Sequence, residues 1–261
     1  MPAAPDIRIA RNDQEWAQEA AALIHSLCER ALETRGRVLM ALSGGSTPQT
    51  LYRTLRNPEW KQRFNWQRIH FLFGDERCVP PDHPESNFGM AEIELFQPLG
   101  IGSEQISRMK GDMPDPEDAA RDYENILRSL TRCPPPVFPQ IDLVLLGLGD
   151  DGHTASLFPG TPALDDRTHS VAVGQAPTGV RLRLTLTLGV INRASMVLFL
   201  VTGLRKASMV RTVVKPQSAA DRSLPAARVS PEAGRLIWML DQSAAAQLTN
   251  RHSGPDSTRT T

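Results

Sequence analysis

The sequence predicts an α/β fold: a Rossmann-like, mostly parallel sheet with helices on both faces, built by a single domain over residues 1–249. Three observations predict it. Short, wholly apolar runs recur, as in strands covered on both faces. Most of them end at a glycine or a polar turn, and segments with helical spacing lie between them. Strands that alternate with helices favour parallel pairing, because a parallel connection needs a crossover long enough to hold a helix.

Taken in order, residues 13–34 place Trp16, Ala20, Leu23, Leu27 and Ala31 three or four apart, one apolar helix face, and Gly36 stops that helix. Residues 38–42 form an apolar strand that ends in Ser43-Gly44-Gly45-Ser46-Thr47-Pro48, with a helix opening near Thr47 and Pro48. Residues 69–73 repeat the pattern and end at Gly74-Asp75, and residues 141–146 end at Gly147-Leu148-Gly149-Asp150. Residues 196–202 form a strand ending at Gly203, a helix follows over 204–214, and 236–240 reads as the last strand. Leu182, Leu184, Leu186 and Leu188 alternate with Arg183, Thr185 and Thr187, the period of an edge or half-buried strand. The proline-rich stretch 133–139 is a rigid loop, and the polar tail 250–261 is expected to be disordered.

Composition narrows the function classes. Of 261 residues, 40% are apolar and 22% charged, the balance of a chain that buries a full core. Basic and acidic residues number 29 each, so no global field draws the chain to nucleic acid or to an anionic membrane, and any anion must be held by a local site. Cys28, Cys78 and Cys133 are odd in number and form no CxxC pair, which points to a reducing cytoplasm rather than to a disulfide framework. The first ten residues carry Pro, Asp and Arg where a signal peptide would be apolar, and no long uncharged apolar run suggests a membrane span. His25, His70, His83, His169 and His252 share no metal-ligand spacing, so no metal is expected.

Ligands of an open parallel sheet bind beyond the carboxyl ends of its strands, so the polar strand ends should share one crevice. Ser43, Gly44, Gly45, Ser46 and Thr47 join a strand to a helix start, where glycines admit a ligand to the backbone and free amides favour a phosphate. A plain capped turn would look the same, and the spacing is neither that of a P-loop nor of a dinucleotide fingerprint. Gly74-Asp75-Glu76-Arg77 clusters two acids and an arginine, either as a site or as a solvated salt-bridge patch. In Gly149-Asp150-Asp151-Gly152-His153 a histidine stands two residues from an acid that could fix its tautomer for proton transfer. Arg183 and Lys206 are surface charges or a phosphate clamp.

These segments resemble those of the 6-phosphogluconolactonase family: ALSGGSTP at 41–48, FGDERCVPPDHPESNFGM at 73–90 and LLGLGDDGHTASLFPG at 145–160, followed by RLTLTLGVIN and VTGLRK. The resemblance spans residues 37–240. It implies a NagB/RpiA-like fold, no cofactor, and hydrolysis of 6-phospho-D-glucono-1,5-lactone in the oxidative pentose phosphate pathway. His153 would then be the general base, Asp151 would hold its geometry, and Arg77 would meet the oxyanion. Asp75 would order Arg77 or bind a sugar hydroxyl, and Gly44, Gly45, Ser46, Thr47, Arg183 and Lys206 would surround the phosphate. The implied partner is a phosphosugar lactone, with functional coupling to a glucose-6-phosphate dehydrogenase left open.

Glucosamine-6-phosphate deaminases resemble the chain in the first and third motifs, but the sequence after His153 lacks their Asn-Glu-Pro. Two departures from the lactonase pattern stand out. Gly189 occupies a common proline position, which leaves Arg181 as a substitute for Arg183, and Cys78 follows Arg77 where a larger residue is frequent. Cys78 beside Arg77 also admits a nucleophile reading, with a structural thiol preferred. The alternatives are a deaminase or aldose-ketose isomerase with Asp75 as base, and a phosphosugar sensor without catalysis.

Overall fold

The computed structural model describes residues 5–249. Six parallel strands, β1 (Asp6–Ala10), β2 (Val38–Leu42), β3 (Ile69–Phe73), β5 (Leu143–Leu146), β8 (Met196–Val201) and β9 (Arg235–Asp241), form the main sheet in the order β1-β9-β8-β5-β2-β3. Every residue of β2, β5 and β8 is buried, so both faces of the sheet are covered there. The other three, β4 (Asp75–Arg77), β6 (Val171–Gln175) and β7 (Leu182–Leu186), form a small antiparallel sheet in the order β4-β7-β6. One hydrophobic cluster joins them, with Leu146 and Phe199 from the large sheet and Val171 and Leu184 from the small one.

The four longest helices flank the sheets. The first, α1 (Asp13–Arg35), opens where Asn12 accepts from the Glu15 amide and closes at Gly36 with φ 69°, in the left-handed region glycine tolerates. Its Trp16 indole donates to the Met239 carbonyl at 3.0 Å and ties the helix to β9. α2 (Ser46–Leu55) follows β2 directly, α3 (Pro116–Thr131) packs on the small sheet, and α4 (Ala207–Val214) follows β8.

The predicted strands of the large sheet are present, β5 starting two residues late at Leu143. Three strands were not predicted: β1, β4 and β6. The reading of 182–188 as an edge or half-buried strand is corrected. β7 is the middle strand of its sheet, and Arg183, Thr185 and Thr187 are buried alongside the leucines, while Leu182 is exposed and Leu188 starts a helical turn. The polar residues lie inside because they meet other polar groups there: Thr185 Oγ1 accepts from the Ser156 amide at 3.1 Å. No helix among the described residues is long and apolar enough to cross a membrane. The tail 250–261 and His252 lie outside the described residues.

Candidate active site

The chain leaves β2 for β3 on one side, yet β5 pairs with β2 on the other. The loops after β2 and β5 therefore diverge, the topological condition for a crevice at the carboxyl ends of the strands. A cavity of about 500 Å³ opens there. It is walled by Ser43, Gly44 and Gly45 from the loop after β2, Asp75 and Arg77 from β4, residues 147–151 and His153 after β5, Arg183 from β7 and Lys206 after β8.

The glycine-rich loop is shaped by what it must avoid. A Cβ on Gly44 would overlap the Asn87 carboxamide, and Gly45 takes φ 101° at the N-cap of α2. The buried Tyr52 hydroxyl donates to the Ser43 carbonyl at 2.7 Å and accepts from the Ser43 amide at 3.1 Å, which pins the loop's first residue. Ser46 and Thr47 do not wall the cavity: they supply first-turn amides of α2, and Thr47 Oγ1 lies 3.0 Å from Thr202 Oγ1.

At Gly74 the chain passes from one sheet to the other, donating to the Leu42 carbonyl and accepting from the Leu186 amide, both at 2.8 Å. The salt-bridge patch considered from the sequence is absent here, because Asp75 and Glu76 are buried and neither pairs with Arg77. Asp75 does not order Arg77: its oxygens accept from Ser156 Oγ at 2.7 Å and Asn87 Nδ2 at 3.2 Å. Glu76 accepts from the Arg77, Asn87 and Phe88 amides at 2.7 Å, folding residues 86–88 over the site, although burial still pushes its carboxyl above the usual range. Arg77 donates to the Glu85 carbonyl and lies directly opposite Arg183 in the β4–β7 register. Burial and the Arg77 charge push the Arg183 guanidinium below its usual value. Like charges opposed across a sheet are unfavourable, and an anion placed between them would relieve the cost.

The third motif is a tight loop. Gly149 donates to the His153 carbonyl at 2.9 Å, Gly152 takes φ 81°, and Ala155 sits at φ 48°, unusual for a residue with a side chain. Asp151 Oδ1 accepts from the His153 amide at 3.1 Å and lies 2.5 Å from Nδ1. A carboxylate at that distance favours Nδ1 as the donor, which in the neutral ring puts the lone pair on Nε2, and Nε2 has no hydrogen-bond partner among the described residues. The Phe158 ring, with its centroid 4.4 Å from that of the imidazole, backs the histidine.

Across the cavity Lys206 Nζ donates to Asp150 at 2.6 Å, and Arg205 donates to the same carboxylate at 2.7 Å, holding Asp150 below the usual range. The turn that carries Lys206 is anchored by the buried Asp241, which accepts from the Gly203 amide at 3.0 Å.

With this geometry in view, the family model described as glucosamine-6-phosphate isomerases/6-phosphogluconolactonase matches residues 11–238. The chain belongs to that family. A relative from Synechocystis named 6-phosphogluconolactonase is 40% identical over 245 residues, covering 94% of this chain and 99% of the relative. A solved 6-phosphogluconolactonase from Trypanosoma cruzi superposes with a TM-score of 0.83 at 29% identity, over 96% of this chain and 99% of that one. A monomeric glucosamine-6-phosphate deaminase shares the fold with a TM-score of 0.76 at 23% identity, over 93% and 99%. Fold alone therefore does not separate the activities within the 6-phosphogluconolactonase and isomerase family.

Of the family positions read from the sequence, nine wall the cavity: Ser43, Gly44, Gly45, Asp75, Arg77, Asp151, His153, Arg183 and Lys206. Arg181 does not wall the cavity, whereas Arg183 does. The Gly189 departure has a local cause: the Phe138 ring occupies the space a Cβ would need, so glycine accommodates an aromatic neighbour. Cys78 is not on the cavity wall, and burial pushes its thiol up to about 11, which keeps it protonated near neutral pH. Sequence reasoning assigned no role to Tyr52, Asn87, Phe158 or Asp241. Asn87 and Phe158 lie within the quoted motifs and were available there; Tyr52 and Asp241 act through contacts that only the fold brings together.

Proposed function

We propose that the chain hydrolyses the ring ester of 6-phospho-D-glucono-1,5-lactone to 6-phospho-D-gluconate, the second step of the oxidative pentose phosphate pathway. The observation that carries this reading against an isomerase or deaminase is the division of labour between Asp75 and His153. Both oxygens of Asp75 are engaged by Asn87 and Ser156, whereas Nε2 of His153 has no hydrogen-bond partner among the described residues and Nδ1 meets an oriented carboxylate. An isomerase base needs a carboxylate free to take a proton from carbon; a lactonase needs a base for water.

The phosphate docks on the Gly44 and Gly45 backbone at the start of α2, between Arg183 and Lys206, and displaces Asp150 as the partner of Lys206. Nε2 of His153 takes a proton from a water as its oxygen attacks the lactone carbonyl, and Asp151 steadies the imidazolium. Arg77 meets the oxyanion. As the tetrahedral intermediate collapses, the bond from C1 to the ring oxygen breaks, and His153 returns the proton to that oxygen. No cofactor enters, because an ester carbonyl is already electrophilic. The same reading takes the chain as a single-domain cytoplasmic enzyme whose partner is a small-molecule lactone, with neither nucleic acid nor membrane involved. A glucose-6-phosphate dehydrogenase would supply that substrate.

The test is product analysis. Freshly formed 6-phosphogluconolactone should disappear faster than in buffer, and glucosamine 6-phosphate should release no ammonia. Ammonia release with an unaccelerated lactone would replace this reading by the deaminase one.

A further inference from the structure

The opposite pole of the molecule carries a second cleft, where strands of the large sheet begin. α1 and α3 both end there, and the segment entering β8 passes by it. It encloses about 440 Å³, within the range of small-ligand sites. Arg35, Arg37, Arg132 and Arg193 line it against one lining carboxylate, Asp142.

Two of these arginines have structural partners. Arg35 pairs with the buried Asp142 and donates to Ser195 Oγ at 3.2 Å, and Arg37 donates to the Leu130 carbonyl in the last turn of α3. Arg132 and Arg193 are exposed, and their side chains make no hydrogen bond or ion pair among the described residues. Three positive charges are left after Asp142 is counted. The negative ends of two helix dipoles, about half a charge each, reduce that to about two.

The placement of Arg132 is itself informative. It caps α3 at φ 53° and ψ 38°, in the left-handed region where glycine or asparagine is the usual occupant. An unpartnered arginine kept in an unfavourable backbone conformation, at the rim of a basic cleft, points from strain to function. The loop that follows Arg132 is braced. Arg128, paired with Glu124 at 2.6 Å, donates to the Cys133 carbonyl at 3.3 Å and the Val137 carbonyl at 2.9 Å, and four prolines stiffen the loop between α3 and β5.

We propose that this basal cleft binds a small molecule bearing two or more phosphate groups, gripped by Arg132 and Arg193, with Arg35 and Arg37 adding charge. Guanidinium forks match phosphate oxygens, and a surplus of about two charges suits a polyvalent anion better than a single carboxylate. The enclosure, together with a net charge of zero for the whole chain, favours a small ligand over nucleic acid. The proposal does not depend on what the upper cavity catalyses.

Calorimetric titration of the full-length protein with inorganic tripolyphosphate, at ionic strength about 0.15 M, tests it. Lys206→Ala, which weakens anion binding in the upper cavity, should leave a tripolyphosphate site intact. Arg132→Gly and Arg193→Gln should each weaken that site by about tenfold, and orthophosphate should bind it at least as much more weakly. Ligand-free Arg132→Gly should melt no lower than wild type, since glycine suits the left-handed position, so lost binding would not reflect lost folding. The proposal is overturned if Lys206→Ala abolishes tripolyphosphate binding, if Arg132→Gly binds as tightly as wild type, or if orthophosphate competes equally.

Discussion

Replacing Gly149 by alanine is expected to disable the site while sparing the fold. The Gly149 backbone does not lie in the left-handed region, so alanine is locally acceptable. Its Cβ would stand 2.7 Å from Asp151 Oδ1 and closer still to Nδ1 and Cε1 of His153, whereas ordinary contacts begin at 3.4 Å. The imidazole, backed by Phe158, must therefore retreat by about 1 Å, and a misplacement of that size costs about 100-fold in rate. That corresponds to about 2.7 kcal/mol of transition-state stabilisation. The assay pairs kcat for lactone hydrolysis with a thermal melt. A 100-fold fall in kcat with a melting temperature close to wild type is the expected result. Unchanged kcat would refute the reasoning, because the alignment of His153 with Asp151 would then contribute nothing.

Tyr52→Phe leaves the Ser43 amide and carbonyl without their buried partner, and denaturant titration should show a loss of about 1–3 kcal/mol. Asp150→Asn removes the carboxylate that competes with phosphate for Lys206, so KM should fall about twofold to fivefold, the worth of an exposed ion pair; an increase in KM would instead make Asp150 a support for Lys206. Glu94 is held below the usual carboxylate range first by its hydrogen bonds from Arg53, with further help from Gln49 and Arg56. Its folded value is depressed, so its stabilisation is present above the unfolded value, about pH 4.3, and is lost as pH falls through the lower folded value. The stability advantage of wild type over Glu94→Gln should accordingly be constant near neutrality and shrink in acid; an advantage that grows in acid would contradict the assignment.

What the sequence made legible follows from burial. Strands β2, β5 and β8 are buried along their whole length, so each appears as an unbroken apolar run such as Val-Leu-Met-Ala-Leu. β1 escaped notice because it lies at the sheet edge, where Arg8 and Ile9 are exposed and no run forms. β4 escaped for the opposite reason: Asp75-Glu76-Arg77 reads as a surface loop, yet its acids are buried and satisfied by residues 86–88 and Ser156, partners up to 81 positions away. The alternation in β7 was visible, but its meaning was not, since periodicity cannot tell a polar side chain facing water from one facing a polar cavity. The candidate site was more legible than its surroundings. Glycines, acids and His153 crowd the ends of apolar strands, and topology alone gathers strand ends at one crevice. Tyr52 and Asp241 carry no such mark, because a buried hydroxyl and a buried carboxylate become site supports only through the backbone groups they meet.

The most direct test of the account follows the disappearance of freshly generated 6-phosphogluconolactone with wild-type protein, with His153→Ala and with buffer alone, while 6-phosphogluconate binding is measured in both proteins. The account predicts that wild type accelerates the loss and that His153→Ala falls to near the spontaneous rate while still binding the product. A wild-type rate equal to the buffer rate, or a variant as fast as wild type, would contradict it.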